Sequence, residues 1–150
     1  MGYDLSGLGM ARPTIQHQRL ARNLMLNYYL KKGFTPYEVI QERAIQDDQD
    51  GLVPDLSFLE NGREILVLEI EKHTKKSIAF AKAKFLFDRY KIKEVFIYIY
   101  DKDKWYYYNA RNNKQEDISY STTLDFNFAE NLYLNPSQPL QGINKPFTLV

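Results

Sequence analysis

Residues 64–100 constrain this chain more than any other stretch. Glu64 to Glu71 contains Ile65-Leu66-Val67-Leu68, a run too apolar for a strand with one wet face, so it is expected in the middle of a sheet with both faces covered. Ser77 to Tyr90 then changes period. Ala79, Phe80, Ala83, Leu86, Phe87 and Tyr90 share one helical face. Glu94 to Tyr100 is again a strand, rich in β-branched and aromatic residues. Strand, helix and strand in succession imply a parallel, right-handed crossover, which makes the chain α/β.

The flanks extend this unit. Pro13-Thr14 reads as a helix entry, and the segment to about Lys32 places Leu20, Ala21, Leu24 and Tyr28 on one face. Lys31-Lys32 followed by Gly33 is a fitting stop, a basic last turn and then a residue free to take positive φ. Phe34 to Ile45 and Val53 to Leu59 read as strands, separated by the polar turn Gln46 to Gly51. Asn61-Gly62 marks a hairpin. After Asp101-Lys102-Asp103-Lys104 turns the chain, Trp105 to Asn109 returns as a last strand. The expected order is α-β-β-β-α-β-β: a central mixed β-sheet flanked by helices, as one domain over residues 1–150. Residues 1–12 are expected to form a loose N-terminal arm, and the tail beyond Asn109 has no assignable pattern.

Bulk properties remove several function classes. The absence of cysteine excludes disulfides, thiolate zinc sites and a cysteine nucleophile, and fits a reducing cytoplasm. The N-terminus lacks the apolar stretch of a secretory signal. No apolar run approaches the roughly 18–20 residues that span a bilayer, so no membrane partner is expected. The net charge of +1 announces no global polycation, so any nucleic-acid surface has to be local. Phosphate loops, dinucleotide fingerprints and serine nucleophile elbows are absent.

What stands out is acidic. Pro54-Asp55 opens one strand, and Glu69-Ile70-Glu71-Lys72 closes the next. Carboxylates gathered at strand ends make an oxygen-ligand site for a hard divalent cation, and such an ion beside a phosphodiester activates water and stabilises the leaving oxygen. Glu69 follows a fully apolar run, where an unpaired charge is costly, and Glu71 repeats the acid on the same face. Whether Asp55 joins them depends on register. A strict two-residue loop at Asn61-Gly62 pairs Asp55 with Leu68 and sends Asp55 and Glu69 to opposite faces. A three-residue loop with a bulge shifts the register by one and unites them. Asn-Gly suits both; the bulged or odd-length turn is the expectation.

The spacing of Pro54-Asp55, thirteen residues, then Glu69, in this order of strands and helix, resembles the PD-(D/E)XK nuclease superfamily. Within it, the chain is similar to the Uma-type (Uma-two) family of restriction-endonuclease-like proteins common in bacteria. The resemblance runs from about Thr14 to Tyr108. It includes Ile-Gln-His-Gln-Arg-Leu around His17, Val-Pro-Asp-Leu-Ser-Phe at 53–58, Leu-Val-Leu-Glu-Ile at 66–70 and Lys-Glu-Val-Phe-Ile-Tyr at 93–98.

The resemblance implies a metal-dependent endonuclease that hydrolyses DNA phosphodiester bonds. Asp55 and Glu69 would bind Mg²⁺ (or Mn²⁺) with Glu71 assisting, and a lysine would orient or deprotonate the attacking water. Here the sequence departs from the pattern. Glu71 fills the position where Glu-x-Lys would place the lysine, which leaves Lys72, or Lys84 and Lys82 on the following helix, the latter two flanking its apolar face. The same departure supports the alternative, an inactive nucleic-acid-binding or assembly module that keeps the fold. A homodimer would suit cutting two strands.

Other residues have plainer readings. His73 is either a ligand or base at the metal edge or a solvated side chain past the strand end. His17 is expected to pack or be solvated on its helix rather than act. Lys75, Lys76, Lys82, Lys84, Arg89, Lys91 and Lys93 could follow a phosphate backbone, but a solvated helix face is the expectation for most. Trp105 to Tyr108 could stack on bases; a half-buried edge strand, or a dimer contact, explains it more simply.

Overall fold

The computed structural model describes residues 14–45, 52–109 and 114–134; the expected arm over 1–12 and the polar turn at 46–51 lie outside them. Helix α1 spans Ile15–Lys32. Thr14 caps it, its hydroxyl accepting from the His17 backbone N–H at 3.1 Å, which satisfies one of the free donors of the first turn. Leu20, Ala21, Leu24 and Tyr28 are buried, as the 3.6-residue period predicts. Gly33 ends the helix at φ 75°, donating its N–H to the Tyr29 carbonyl.

Six strands form the main sheet in spatial order β1 to β6: Tyr37–Gln41, Leu56–Glu60, Arg63–Glu71, Glu94–Ile99, Lys104–Asn109 and Gln115–Glu116. Neighbours are antiparallel except β3 and β4, which are parallel and joined through α2 (Lys76–Tyr90). This is the mixed sheet with flanking helices that the sequence predicts. The first strand is shorter than Phe34–Ile45: Pro36 has no N–H for a ladder, and Glu42 leaves the extended region at φ 51°. Trp105 to Asn109 is not an edge strand, because β6 covers it, and Trp105, Tyr106 and Tyr107 are buried. They are packed into the protein rather than presented to bases.

Pleating splits the core into two layers. Leu56, Phe58, Leu66, Leu68, Ile70, Phe96 and Tyr98 meet the buried face of α1. Val67, Val95, Ile97, Ile99 and Tyr106 meet Ala79, Ala83, Leu86 and Tyr90 of α2. The tail, unassigned from sequence, closes the first layer. A ribbon of β7 (Tyr120–Ser121) and β8 (Phe126–Asn127) and a 3₁₀ turn at Ala129–Asn131 bring Leu124, Phe126, Phe128 and Leu132 into the core of α1.

The register question has an unexpected answer. Asn61 and Gly62 both have positive φ, 52° and 78°, and Glu60 pairs with Arg63: a two-residue turn of type I′. The turn itself is therefore not bulged, contrary to expectation. The bulge lies further along, where pairing passes from Leu59↔Glu64 to Phe58↔Leu66 and skips Ile65. The extra residue lets both Ile65 and Leu66 join the α1-side core. It also shifts everything beyond it by one residue. With Leu56 opposite Leu68, Asp55 comes to lie beside Glu69.

Candidate metal centre

The C-terminal end of β3 carries the acids, and elements from both layers close over it. Asp55 sits one residue before β2. Its Oδ2 accepts the Ile70 backbone N–H at 2.6 Å, so the side chain continues the β2–β3 ladder where the backbone has left it. Its Oδ1 lies 2.7 Å from His17 Nε2. His17 is in the first turn of α1, and the α1 cap is itself tied to the sheet: Thr14 Oγ1 is 3.2 Å from the Tyr100 hydroxyl, and Tyr100 donates its N–H to the Glu71 carbonyl. Donor atoms of His17, Asp55 and Glu71 all lie within 4.8 Å of one another, the one such group among the described residues.

Glu69 approaches from the α2 side. It is 2 % exposed, and its Oε1 takes a 2.8 Å ion pair from Lys82 Nζ. Lys82 also donates to the Val53 carbonyl at 3.0 Å. The other carboxylate oxygen, Oε2, is buried without a protein partner.

The charges do not balance within the cluster. Three carboxylates face one lysine and one histidine. Burial pushes the Glu69 carboxyl up, Lys82 pulls it back, and Asp55 and Glu71 push it up further. Burial and Asp55 likewise raise Glu71. Burial alone would lower His17, but its bond to Asp55 and the charges of Asp55, Glu71 and Glu69 prevail and hold it above its ordinary value. Lys82 follows the same logic: burial lowers it, and the three acids more than compensate. Glu69, Glu71, His17 and Lys82 are each shifted toward holding a proton, as expected where negative charge is in excess, and a divalent cation would relieve it. With an orphaned buried oxygen beside a convergent carboxylate–imidazole set, the residues fit such an ion.

Of the residues singled out from sequence, the structure brings Asp55, Glu69 and Glu71 together. It does not bring in Lys72 or Lys84, both of which are exposed. Lys72 lies beyond the end of β3, and Lys84 is two residues, about 200°, round α2 from Lys82. Lys82 is the lysine that reaches the acids. It lies three residues after Ala79 and four before Leu86, in the middle of the buried stripe. His73 turns away from the cluster to pair with Asp101 through its ring and its backbone N–H. His17, read from sequence as a packing or solvated helix residue, is buried against Asp55. Its signal was its place in the first turn after a Thr cap, which aims it at whatever the helix start faces.

No protein-family model matches this chain, and no curated protein is detectably similar to it in sequence. Among solved structures it is similar to a protein from Anabaena variabilis described as a "putative nuclease belonging to DUF820", with a TM-score of 0.52 over 89% of this chain and 84% of that one. The likeness is one of fold. At 15% sequence identity it shows a shared fold, a mixed α/β sheet flanked by helices. No helix among the described residues is long and apolar enough to cross a membrane.

Proposed function

We propose that this chain is a divalent-metal-dependent nuclease that hydrolyses phosphodiester bonds in DNA, with its centre at the C-terminal end of β3. The observation that carries the proposal is the convergence of Asp55, Glu69 and Glu71 around a deficit of positive charge, on a fold similar to that of a nuclease-like protein. Asp55 and Glu71 would hold the ion, with Glu69 behind them. When bound, the ion supplies Lewis acidity toward the phosphate and the attacking water.

The chain's own residues complete the arrangement. Lys82 takes the place of the lysine expected two residues after Glu69. Glu69 and the Val53 carbonyl use two of its three donors, and the third is available to the negative charge that grows on the phosphoryl oxygens. Glu69, Asp55 and Glu71 keep this ammonium charged against its burial, and packing in the α2 layer holds it fixed, so little reorganisation is needed during reaction. Asp55 is fixed from both sides by Ile70 and His17.

Cleavage of supercoiled plasmid and of single-stranded DNA in Mg²⁺ or Mn²⁺ tests the proposal. Wild-type protein should cut and Asp55→Asn should not. Undiminished cleavage by Asp55→Asn would refute the assignment. DNA retardation without cleavage in either ion would favour an inactive binding module.

A further inference from the structure

We infer that His17 is a direct ligand of the cation, so that the centre selects a first-row transition dication such as Mn²⁺ or Co²⁺ over Mg²⁺. This rests on the metal-dependent reading above and specifies which ion the site takes.

The geometry separates the acids into two sets. Glu69 is committed to Lys82, 2.8 Å from Oε1, and is nearly sealed from solvent. His17, Asp55 and Glu71 form the set whose donor atoms converge within 4.8 Å. Ligands opposite one another on a small dication stand about 4.2 Å apart for bonds of about 2.1 Å. Adjacent ligands stand about 3.0 Å apart, so the pairs of this set span the range an ion needs once the widest closes by about 0.6 Å or more, a movement that side-chain rotation of the carboxylates supplies.

The donor set is then one imidazole nitrogen and two carboxylates. Mg²⁺ strongly prefers oxygen ligands and keeps much of its water. Ions of the Mn²⁺ to Ni²⁺ series accept imidazole, with affinity rising along that series. Two buried polar atoms here lack a protein partner, Glu69 Oε2 and His17 Nδ1, which marks the centre as built for more than internal packing. The capping of α1 by Thr14 and the tie from Thr14 to Tyr100 place the imidazole over the end of β3.

The competing account is that His17 serves only as a counter-charge to Asp55. The two differ in sign. A ligand, once removed, weakens ion binding; a competing counter-charge, once removed, frees Asp55 and strengthens it.

Mn²⁺ binding is followed by the loss of its free-ion electron paramagnetic resonance signal, Co²⁺ by its visible absorption, and Mg²⁺ by competition against bound Mn²⁺. Wild-type protein should prefer Mn²⁺ over Mg²⁺ by about tenfold or more. His17→Gln should lose about tenfold or more in Mn²⁺ affinity and most of that preference, with an unchanged circular dichroism spectrum. Equal wild-type affinities for Mn²⁺ and Mg²⁺, or unchanged or tighter Mn²⁺ binding by His17→Gln, would overturn the inference and leave the nuclease reading standing. If neither ion binds wild-type protein, both fail. The wild-type comparison decides the matter even if the variant does not fold.

Discussion

At the scale of single residues, the centre trades stability for charge. Lys82 and Glu69 are both buried, and removing one partner of such a pair typically costs about 3–5 kcal/mol, because the other charge is left stranded. Lys82→Met should therefore destabilise the metal-free protein by that order, as read by urea denaturation in chelator. Lys82→Met/Glu69→Gln should recover most of the loss. The deficit of the single variant should also depend on pH. Burial already raises the Glu69 carboxyl above its unfolded value, and without Lys82 it rises further. A carboxyl raised in the folded state contributes its stability below the unfolded pKa and loses it as pH climbs through the folded one. Wild type and variant lose this contribution in parallel up to the wild-type value of about 8 and part above it, so Lys82→Met should be closer to wild type at pH 7 than at pH 9.5. A deficit equal at both values would mean that Glu69 is not desolvated as described. Why Lys82 and not Lys84 fills this place is a matter of helical phase. Both flank the apolar face on a wheel, but α2 buries Ala79, Ala83, Leu86 and Tyr90 while Phe80 and Phe87 remain half-buried. That rotates the true buried stripe toward Lys82, and the rotation follows from packing against the sheet.

At the scale of elements, the decisive device is the bulge at Ile65. The strict turn at Asn61-Gly62 by itself would put Asp55 and Glu69 on opposite faces, and the bulge restores them to one. Gly62→Ala isolates the turn from the bulge. Nothing lies within 4 Å of a Cβ there, yet the position is at φ 78°, so the cost is conformational, about 1–2 kcal/mol. Denaturation should show that loss while Mn²⁺ affinity stays near wild type, because the register at Asp55 is set beyond the turn. A large fall in ion affinity would show that the turn sets the register instead. The sequence displayed the alternation, the Asn-Gly and the acids, and from these the strand order and the buried strands could be read. It could not display the bulge. Ile65-Leu66-Val67-Leu68 is apolar at every position, so skipping one residue leaves no mismatch in the pattern. The short β6, β7 and β8 were illegible for a related reason. Each has two residues, less than one full alternation, although Leu124, Phe126 and Phe128 do alternate as residues buried from one side must.

At the scale of the whole molecule, α1 is the shared part. One side packs on the sheet, and the 3₁₀ turn that follows the β7–β8 ribbon, with the residues just after it, covers the other: Asn23 Nδ2 donates to the Leu132 carbonyl, and Asn27 Nδ2 donates to those of Asn131 and Tyr133. Glu94 anchors the same ribbon from the sheet, accepting from the hydroxyls of Tyr107 and Ser121 at 2.6 Å. It sits at the start of β4, away from the end of β3 where the acids gather. The helix is thus held at two places for two purposes, by residues 131–133 along its body and by Thr14 and Tyr100 at its start. Asn27→Ala leaves two carbonyls without their donor and should cost about 1–3 kcal/mol of stability. It lies ten residues from His17, so ion affinity should hardly move. Thr14→Ala removes a cap worth about 0.5–2 kcal/mol, a similar loss, but it frees the turn that carries His17 and should weaken Mn²⁺ binding. Two variants of comparable stability would then differ in ion affinity. If both lowered it equally, the centre would depend on the stability of α1 as a whole rather than on the placement of its first turn.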